Sequence, residues 1–330
     1  MALGIGAYTE TAIVEEATYA AGPPSSGYDT FLELRAEETV QKNQEKIDGD
    51  FLFGSPILYK TFNGVEAPAG VIPIVANPDN ISLLMFLSLG AEAEQSQVGS
   101  TTAFDHVITP AASGTDLESF AFEIHRDLHA FEYIGGKVNS FTVKAAKGSF
   151  IHFDFDCVFQ QEDDTHSWSD AVSKSSKIPY SFHMATLKVA DSEVAYVNSC
   201  EITHSWNLDL EGCHRMDGNA YIGDPNKTVE TITGTLGCEW TSTSDVLRDA
   251  YLDNTAKQIS LEIVSTETIE TGYYYQLEVD IPVTYIIGDP PVVSDRGRIP
   301  FTVNFRGAYD STNNIVVTSR DAKEGTWKIS

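Results

Sequence analysis

Two stretches of this chain carry the same order of elements, and that duplication limits the fold more than any other feature. Residues 28–161 read as a run of strands, one short helix and a strand–hairpin–strand unit, and residues 182–310 read in the same way. In the first stretch, segments 31–34 and 71–75 precede an apolar helix at 81–89. In the second, segments 185–189 and 229–240 precede an amphipathic helix at 244–252. An alternating strand follows each helix, at 117–124 or 259–264, and a hairpin then closes on 150–159 or 299–305. Two copies of a mostly β unit in one polypeptide suit the building of symmetrical objects better than the housing of a single active site.

Period-two patterning is clearest at His152-Phe-Asp-Phe-Asp-Cys-Val-Phe159. There Phe153, Phe155, Cys157 and Phe159 share one face, and His152, Asp154 and Asp156 share the other. The same alternation recurs at Phe120, Phe122 and Ile124, at Trp206, Leu208 and Leu210, and at Phe301, Val303 and Phe305. The expected fold is therefore mainly β, with two tandem β-barrel or sandwich modules, each carrying one short packed helix. Residues 1–27, with Gly22-Pro-Pro-Ser-Ser-Gly27, read as an extended N-terminal arm. The first module then spans 28–162, a polar linker 163–181, the second module 182–310 and a C-terminal arm 311–330, whose residues 315–318 read as an exposed β segment.

The 330 residues, 42% hydrophobic and 11% aromatic, fill one or two ordinary cores, and the repeat favours two. A net charge of −27 argues against tight binding to a phosphate backbone, which relies on Lys and Arg displacing counterions. A salt-rich habitat is a second source of such acidity. Cys157, Cys200, Cys213 and Cys238 are too scattered for a disulfide framework and read as reduced thiols. No apolar run reaches the roughly 18 residues of a membrane span, and residues 1–19 lack both a basic start and an apolar core. The expected product is soluble and unexported when made.

Motifs that carry chemistry are weak. His125-Arg-Asp-Leu128 opens like a kinase catalytic loop, but Glu132 stands where the metal-binding Asn belongs, and no Gly-rich loop accompanies it. Cys200, His204, Cys213 and His214 lack zinc-ligand spacing and read as core residues. His166 with Asp163 and Asp164 reads as a solvated loop, and the Asp154 and Asp156 pair as a wet sheet face. Asn80-Ile-Ser82 and Asn226-Lys-Thr228 match the glycosylation triplet, a frequent chance match. No catalytic residue, cofactor or metal site is expected.

The order of elements, together with Glu15-Glu-Ala-Thr-Tyr19, the helix ending in Leu89-Gly90, Phe131-Glu-Tyr-Ile-Gly-Gly-Lys-Val-Asn-Ser-Phe-Thr-Val143 and Val229-Glu-Thr-Ile-Thr-Gly-Thr-Leu-Gly237, resembles the tail tube (major tail) proteins of long, flexible-tailed siphovirus-like phages and archaeal viruses. The likeness is to the subgroup with a duplicated tube domain. It implies paired orthogonal sheets with a flanking helix, and self-assembly into rings stacked as a hollow tube in the virion tail, made in the host cytoplasm. A homotrimer would close a pseudo-sixfold ring if both copies lie in it, and a homohexamer would form if one copy is peripheral. Tape-measure, tail terminator and distal tail proteins are the further partners implied, and DNA passes through without specific binding.

Strand phase offers Glu123, Asp154 and Asp156 in the first copy and Glu278 and Asp280 in the second as carboxylates lining an acidic, non-adhesive lumen. Contacts between rings, as the resemblance implies, would use a loop at 37–44, with Glu37, Glu38, Gln41, Lys42 and Gln44. Its counterpart at 211–227 would offer Arg215, Asp217, Asp224 and Lys227. The alternatives are a distal-tail or head–tail joining ring, which would stop at one closed ring, and a carbohydrate-binding or adhesin-like β-protein. The last would suit 14 Tyr, 17 Phe and 4 Trp but would be expected to expose aromatic clusters.

Overall fold

Alternating residues put most of the chain into strands, and two long strands tie the layers together. The computed structural model describes residues 6–35, 38–48, 60–168, 173–214, 219–288 and 298–327. The first half runs β1 (Thr9–Glu15), β2 (Thr30–Phe31), β3 (Gln44–Asp48), β4 (Thr61–Glu66), β5 (Ala69–Val75), α1 (Ile81–Leu89), β6 (Gly90–Gln97), β7 (Phe104–Pro110), β8 (Phe120–Arg126), β9 (Ala130–Ala146), β10 (His152–Val158) and β11 (Gln161–Asp163). The second runs β12 (Ala185–Val189), β13 (Ser192–Glu193), β14 (Val197–Ser205), β15 (Thr231–Glu239), α2 (Asp245–Leu252), β16 (Lys257–Glu270), β17 (Tyr273–Ile287), β18 (Pro300–Gly307) and β19 (Val316–Asp321). The β3–β4 hairpin stands apart; the other strands form one antiparallel network of sandwich modules, without a closed barrel.

The duplication is visible residue by residue. On β10, Phe153, Phe155 and Cys157 lie opposite Ile74, Ile72 and Gly70 of β5. On β18, Phe301, Val303 and Phe305 lie opposite Cys238, Leu236 and Gly234 of β15. Strands β5, β8, β9 and β10 thus correspond to β15, β16, β17 and β18. The glycines correspond for a steric reason: a Cβ on Gly70 would fall 2.4 Å from the Thr39 carbonyl oxygen, and one on Gly234 would fall 2.6 Å from that of Glu201. Each leaves room for a strand on the outer side of its neighbour.

In each copy the long strand serves both layers. The N-terminal part of β9 pairs with β8 and β11, and its C-terminal part pairs with β10, across a bulge at Asp156 and Cys157. Strand β17 does the same with β16 and β19, then β18. Between the layers of the first copy, Phe159 meets Phe120 and Tyr133 at ring-centroid distances of 5.5 and 5.3 Å. Burial of each such ring contributes about 1.5–3 kcal/mol, and edge-to-face geometry adds to it.

The two copies meet in one sheet. The C-terminal half of β9 carries β10 on one edge and β14 on the other, in register from Ser199 opposite Ala146 to Ser205 opposite Ser140. Residues 33–35 and 38–41 run along β5, with Arg35 N–H donating to Pro73 O and Thr39 N–H to Val71 O. The sheet therefore reads 33–35 with 38–41, β5, β10, β9, β14, β15, β18, β17. A second link joins the outer layer, where β7 of the first half pairs with β19 and extends the sheet of β12, β16 and β17. Helix α1, apolar all round, is buried along its whole length because second-half residues cover it: Ser82 contacts Ser319, and Trp206 Nε1–H donates to Ser88 O. In α2 only Leu247 and Ala250 are buried.

Both terminal segments differ from free arms. Strand β1 pairs along β8, and residues 11–15 are buried. Ile13 enters the main core, while Ala12 and Val14 on the opposite face are covered by Tyr28, Ala121, Ile134 and Trp168. Glu16, polar in sequence, is buried because its carboxylate accepts N–H groups of Ala20, Gly22 and Gly135 at 3.0–3.1 Å. At the other end Ile315 and Val317 are fully buried, so residues 315–318 are not an exposed segment. That end is latched by buried His106, whose Nδ1 lies 2.6 Å from Glu92 and whose Nε2 lies 3.2 Å from both Asp321 Oδ1 and Lys323 O. Lys323 also caps the Trp327 ring.

Two outcomes follow. Gly70→Ala or Gly234→Ala forces a backbone apart and costs about 1–3 kcal/mol, measurable as a lowered melting midpoint. For His106, acceptors face both ring nitrogens, so it is held as the imidazolium. Burial alone would lower its pKa, but Asp321 and Glu92 outweigh that and raise it above 6.5. The folded state thus holds this proton more tightly than the unfolded chain, and the stabilisation, complete below about pH 6.5, fades as pH rises through the raised value. The melting temperature of wild type is expected to fall more steeply than that of His106→Gln between about pH 6 and about pH 9.

Candidate functional site

The eight-segment sheet turns its apolar face to the core and leaves the other face to solvent. On that second face the alternation places hydroxyl after hydroxyl: Ser140 and Thr142 on β9, Thr203 and Ser205 on β14, and Thr231, Thr233 and Thr235 on β15. Several bind one another across strands. Thr142 and Thr203 hydroxyls are 3.0 Å apart over the seam, and Thr235 donates to Asn304 at 2.9 Å. The face is broad, polar and shallow.

Of the five carboxylates expected to share a surface, two are on this face. Asp154 is flanked by cations, with Lys144 Nζ at 2.8 Å and Arg35 Nη2 at 3.6 Å, and Asp156 accepts from Asn139 Nδ2 at 2.8 Å. Glu278 and Asp280 lie on the N-terminal part of β17, paired with Glu262 and Ser260 of β16. The apolar faces of that layer and of the eight-segment sheet share one core, so their polar faces look in opposite directions. Ser260 donates to Glu278 and Gln258 to Asp280. Burial raises the Asp280 carboxyl above its ordinary range, and Glu278, Asp191 and Asp310 add to this against the Gln258 hydrogen bond.

Glu123 is fully buried rather than on a wet face. It lies beside Ala12 under the segment that follows β11, and its Oε1 is 2.9 Å from His166 Nε2. The alternation of β8 is real, but its second face is covered by chain from the linker, which period two alone does not reveal.

The candidate loop residues also separate. Glu37, Arg215 and Asp217 lie outside the described residues. Glu38 accepts from Arg126 Nε at 2.8 Å, and Gln41 bridges to Ala69, so residues 38–41 form a sheet edge rather than a loop. Lys42 pairs with Glu66 at 3.1 Å, and Gln44 opens β3, which puts both at the base of the β3–β4 hairpin. From the second copy, Asp224 pairs with buried Lys137 of β9. Lys227 donates to Ala111 O and Ala112 O and sits over the Trp206 ring, and burial lowers its pKa. Glu66 of β4 links the two expected loops, pairing with Lys42 of one and donating its N–H to Ala220 O of the other at 2.7 Å beside a Glu66–Tyr221 bridge.

Two features escaped sequence reasoning. Ile47 and Phe62 face each other across the β3–β4 hairpin and are 51% and 50% exposed. Ile47 follows a polar, charged stretch and Phe62 stands between polar neighbours, and neither pattern marks an exposed pair. The hydroxyl face was written in Thr231, Thr233 and Thr235, whose alternation marks a solvent face without saying that β14 and β9 continue it.

The weak chemical motifs have structural partners. His204 Nε2 bonds Glu230 at 2.7 Å, and its ring stacks on Phe141 across the seam. Burial pushes the Cys200 thiol up to about 12 and the Cys238 thiol up to about 11, so both stay protonated. Among the described residues no group of three or more His, Cys, Asp or Glu is arranged to hold a metal, and no helix is long and apolar enough to cross a membrane. Asp127 sits in the β8–β9 turn with φ 59°.

No curated protein matches this chain. A family model described as phage tail tube protein matches residues 6–307, which takes in both copies and the seam between them. The chain therefore belongs to the phage tail tube protein family, which places it in the tail of the virion.

Proposed function

We propose that three of these chains close into a pseudo-sixfold ring, with both modules of each chain in the ring. Such rings stack into the hollow tube that carries viral DNA to the host. The seam carries this reading: β14 of the second copy is hydrogen-bonded edge to edge with β9 of the first, so the copies sit side by side in one sheet. A second module hung outside a six-chain ring would have no need of that shared sheet. The role is structural rather than catalytic.

The hydroxyl face of the shared sheet suits a channel lining. Its Ser and Thr side chains give DNA no cation to grip, Lys144 and Arg35 are engaged by Asp154, and exposed Arg306, opposite Thr233, is the further cation of this face. Non-adhesiveness in this reading comes from paired charges and hydroxyls, with Asp154 and Asp156 contributing a modest acidity. A tape-measure protein inside the tube, and terminator and distal tail proteins at its ends, are the partners this role requires.

Electron microscopy of the purified protein at low and high salt tests the reading, since salt screens repulsion between such acidic chains. Hollow striated tubes are expected, with a mass per striation of three chains. Six chains per striation would overturn the trimeric ring, and single closed rings under every condition would identify a joining ring instead.

A further inference from the structure

Beyond β19 the chain does not leave the molecule. Residues 322–327 bend at Gly325, where φ is 95°, and reach back over β7 and β6 as a strap. Two carboxylates anchor it. Near its start Lys323 N–H donates to Asp321 Oδ1, and at its end Trp327 N–H donates to Glu92 Oε2, each at 2.8 Å. The Trp327 ring packs against the main core with its centroid 5.8 Å from that of His106, and Lys323 Nζ lies 3.5 Å from the same indole centroid. The strap lies beyond the stretch shared with the family, which ends at residue 307.

Both anchors depend on one ring. Buried His106 joins the same two carboxylates, with Nδ1 facing Glu92 Oε1 and Nε2 facing Asp321 Oδ1 and Lys323 O. A neutral ring keeps a single N–H. With the proton on Nδ1, the Nε2 lone pair is set against Asp321 and the Lys323 carbonyl at the start of the strap. With the proton on Nε2, the Nδ1 lone pair is set against Glu92, which holds the end of the strap. The Glu92 and Asp321 side chains are only 4% and 8% exposed, and Asp321 Oδ2 is buried with no hydrogen-bond partner among the described residues. Loss of the imidazolium therefore strands two acids where solvent screens them poorly. The other titratable groups around the site do not replace it. Lys323 holds its ammonium over the indole, and burial lowers its pKa; Glu15 and Asp29, within electrostatic reach of it, are acids. Burial keeps Tyr180, near Asp321, protonated, and Asp105 beside His106 is engaged by Arg320.

We propose that residues 322–327 form a proton-gated clasp, closed over β6 and β7 while His106 is an imidazolium and opening when that ring loses a proton. The clasp fastens the C-terminal segment to β6 and β7 of the first half. Its opening loosens the outer link between the copies and leaves the pairing of β9 with β14 intact. Burial lowers the His106 pKa, but Asp321 and Glu92 outweigh this and raise it above 6.5. The clasp is therefore closed below about pH 6.5 and opens as pH rises through the raised value. This device belongs to the single chain and does not rest on the ring or tube.

Hydrogen exchange of the full chain, followed by mass spectrometry from about pH 6 to about pH 9 and corrected for the intrinsic pH dependence of amide exchange, tests the clasp. Protection of residues 322–327 is expected to fall about tenfold per pH unit above the raised His106 value, as release of one proton requires, while amides of β9 and β10 stay protected. Trypsin cleavage after Lys323, normalised at each pH to a free peptide of residues 318–330, is expected to rise in parallel. His106→Gln, which cannot take up a proton, is expected to remove the pH dependence. Glu92→Gln keeps the ring but loses one of its two acids, and is expected to move the opening to lower pH. Constant protection of the strap across the range would overturn the proposal. So would an unshifted opening in Glu92→Gln, or a wild-type profile in His106→Gln, which would assign the opening to Lys323. Equal loss of protection in β9 and β10 would overturn it as well, since the whole fold would then be opening.

Discussion

The backbone hydrogen bonds between β9 and β14 are the constraint on which the rest of this structure depends. They turn two similar sandwiches into neighbours in one sheet, and other contacts then fall into place around that pairing. Phe141 stacks on His204 across it, Lys137 reaches Asp224, and Trp206 settles against the end of α1. The complete burial of α1, against the half-exposed α2, follows from the same asymmetry: second-half residues cover α1, and among the described residues α2 has no such cover.

The acidity of the chain is partly architectural. Glu16 gathers three backbone N–H groups, Glu66 holds Lys42 and the N–H of Glu162, and Glu123 meets His166, all with little or no exposure. Buried carboxylates of this kind act as fixed acceptors for chain segments that have left regular strands. A count of −27 therefore overstates how much negative charge any one surface displays. On the hydroxyl face Asp154 is matched by Lys144 and Arg35, while Glu201 and Arg306 stand exposed on separate strands among the hydroxyls.

Much of the fold was legible in the residues because strong alternation leaves few choices. Phe153, Phe155 and Cys157 are buried as their phase requires, and the helix at 81–89 has the bounds its apolar run indicates. The terminal segments were harder. In β1 both faces are covered, so Ala12, Ile13 and Val14 give no polar alternation, and the acids at 15 and 16 resemble a solvated arm. Glu123 illustrates the general limit: period two identifies the face of a strand, but only tertiary structure shows what lies on it. The candidate surfaces were less legible for the same reason. Asp154 and Glu278 have equivalent phases in their strands and end on opposite sides of a core.

Tandem fusion also has a kinetic consequence. In a ring closed from three chains, half of the junctions between modules form inside a polypeptide as it folds, at the high effective concentration that covalent linkage provides. Only three junctions between separate molecules remain, where a ring of six single modules would have six. Nucleation becomes a lower-order reaction, and every incomplete ring is an open arc of whole pairs. If the proposed three-chain ring forms, each ring closes over half as many intermolecular junctions as six separate modules would need.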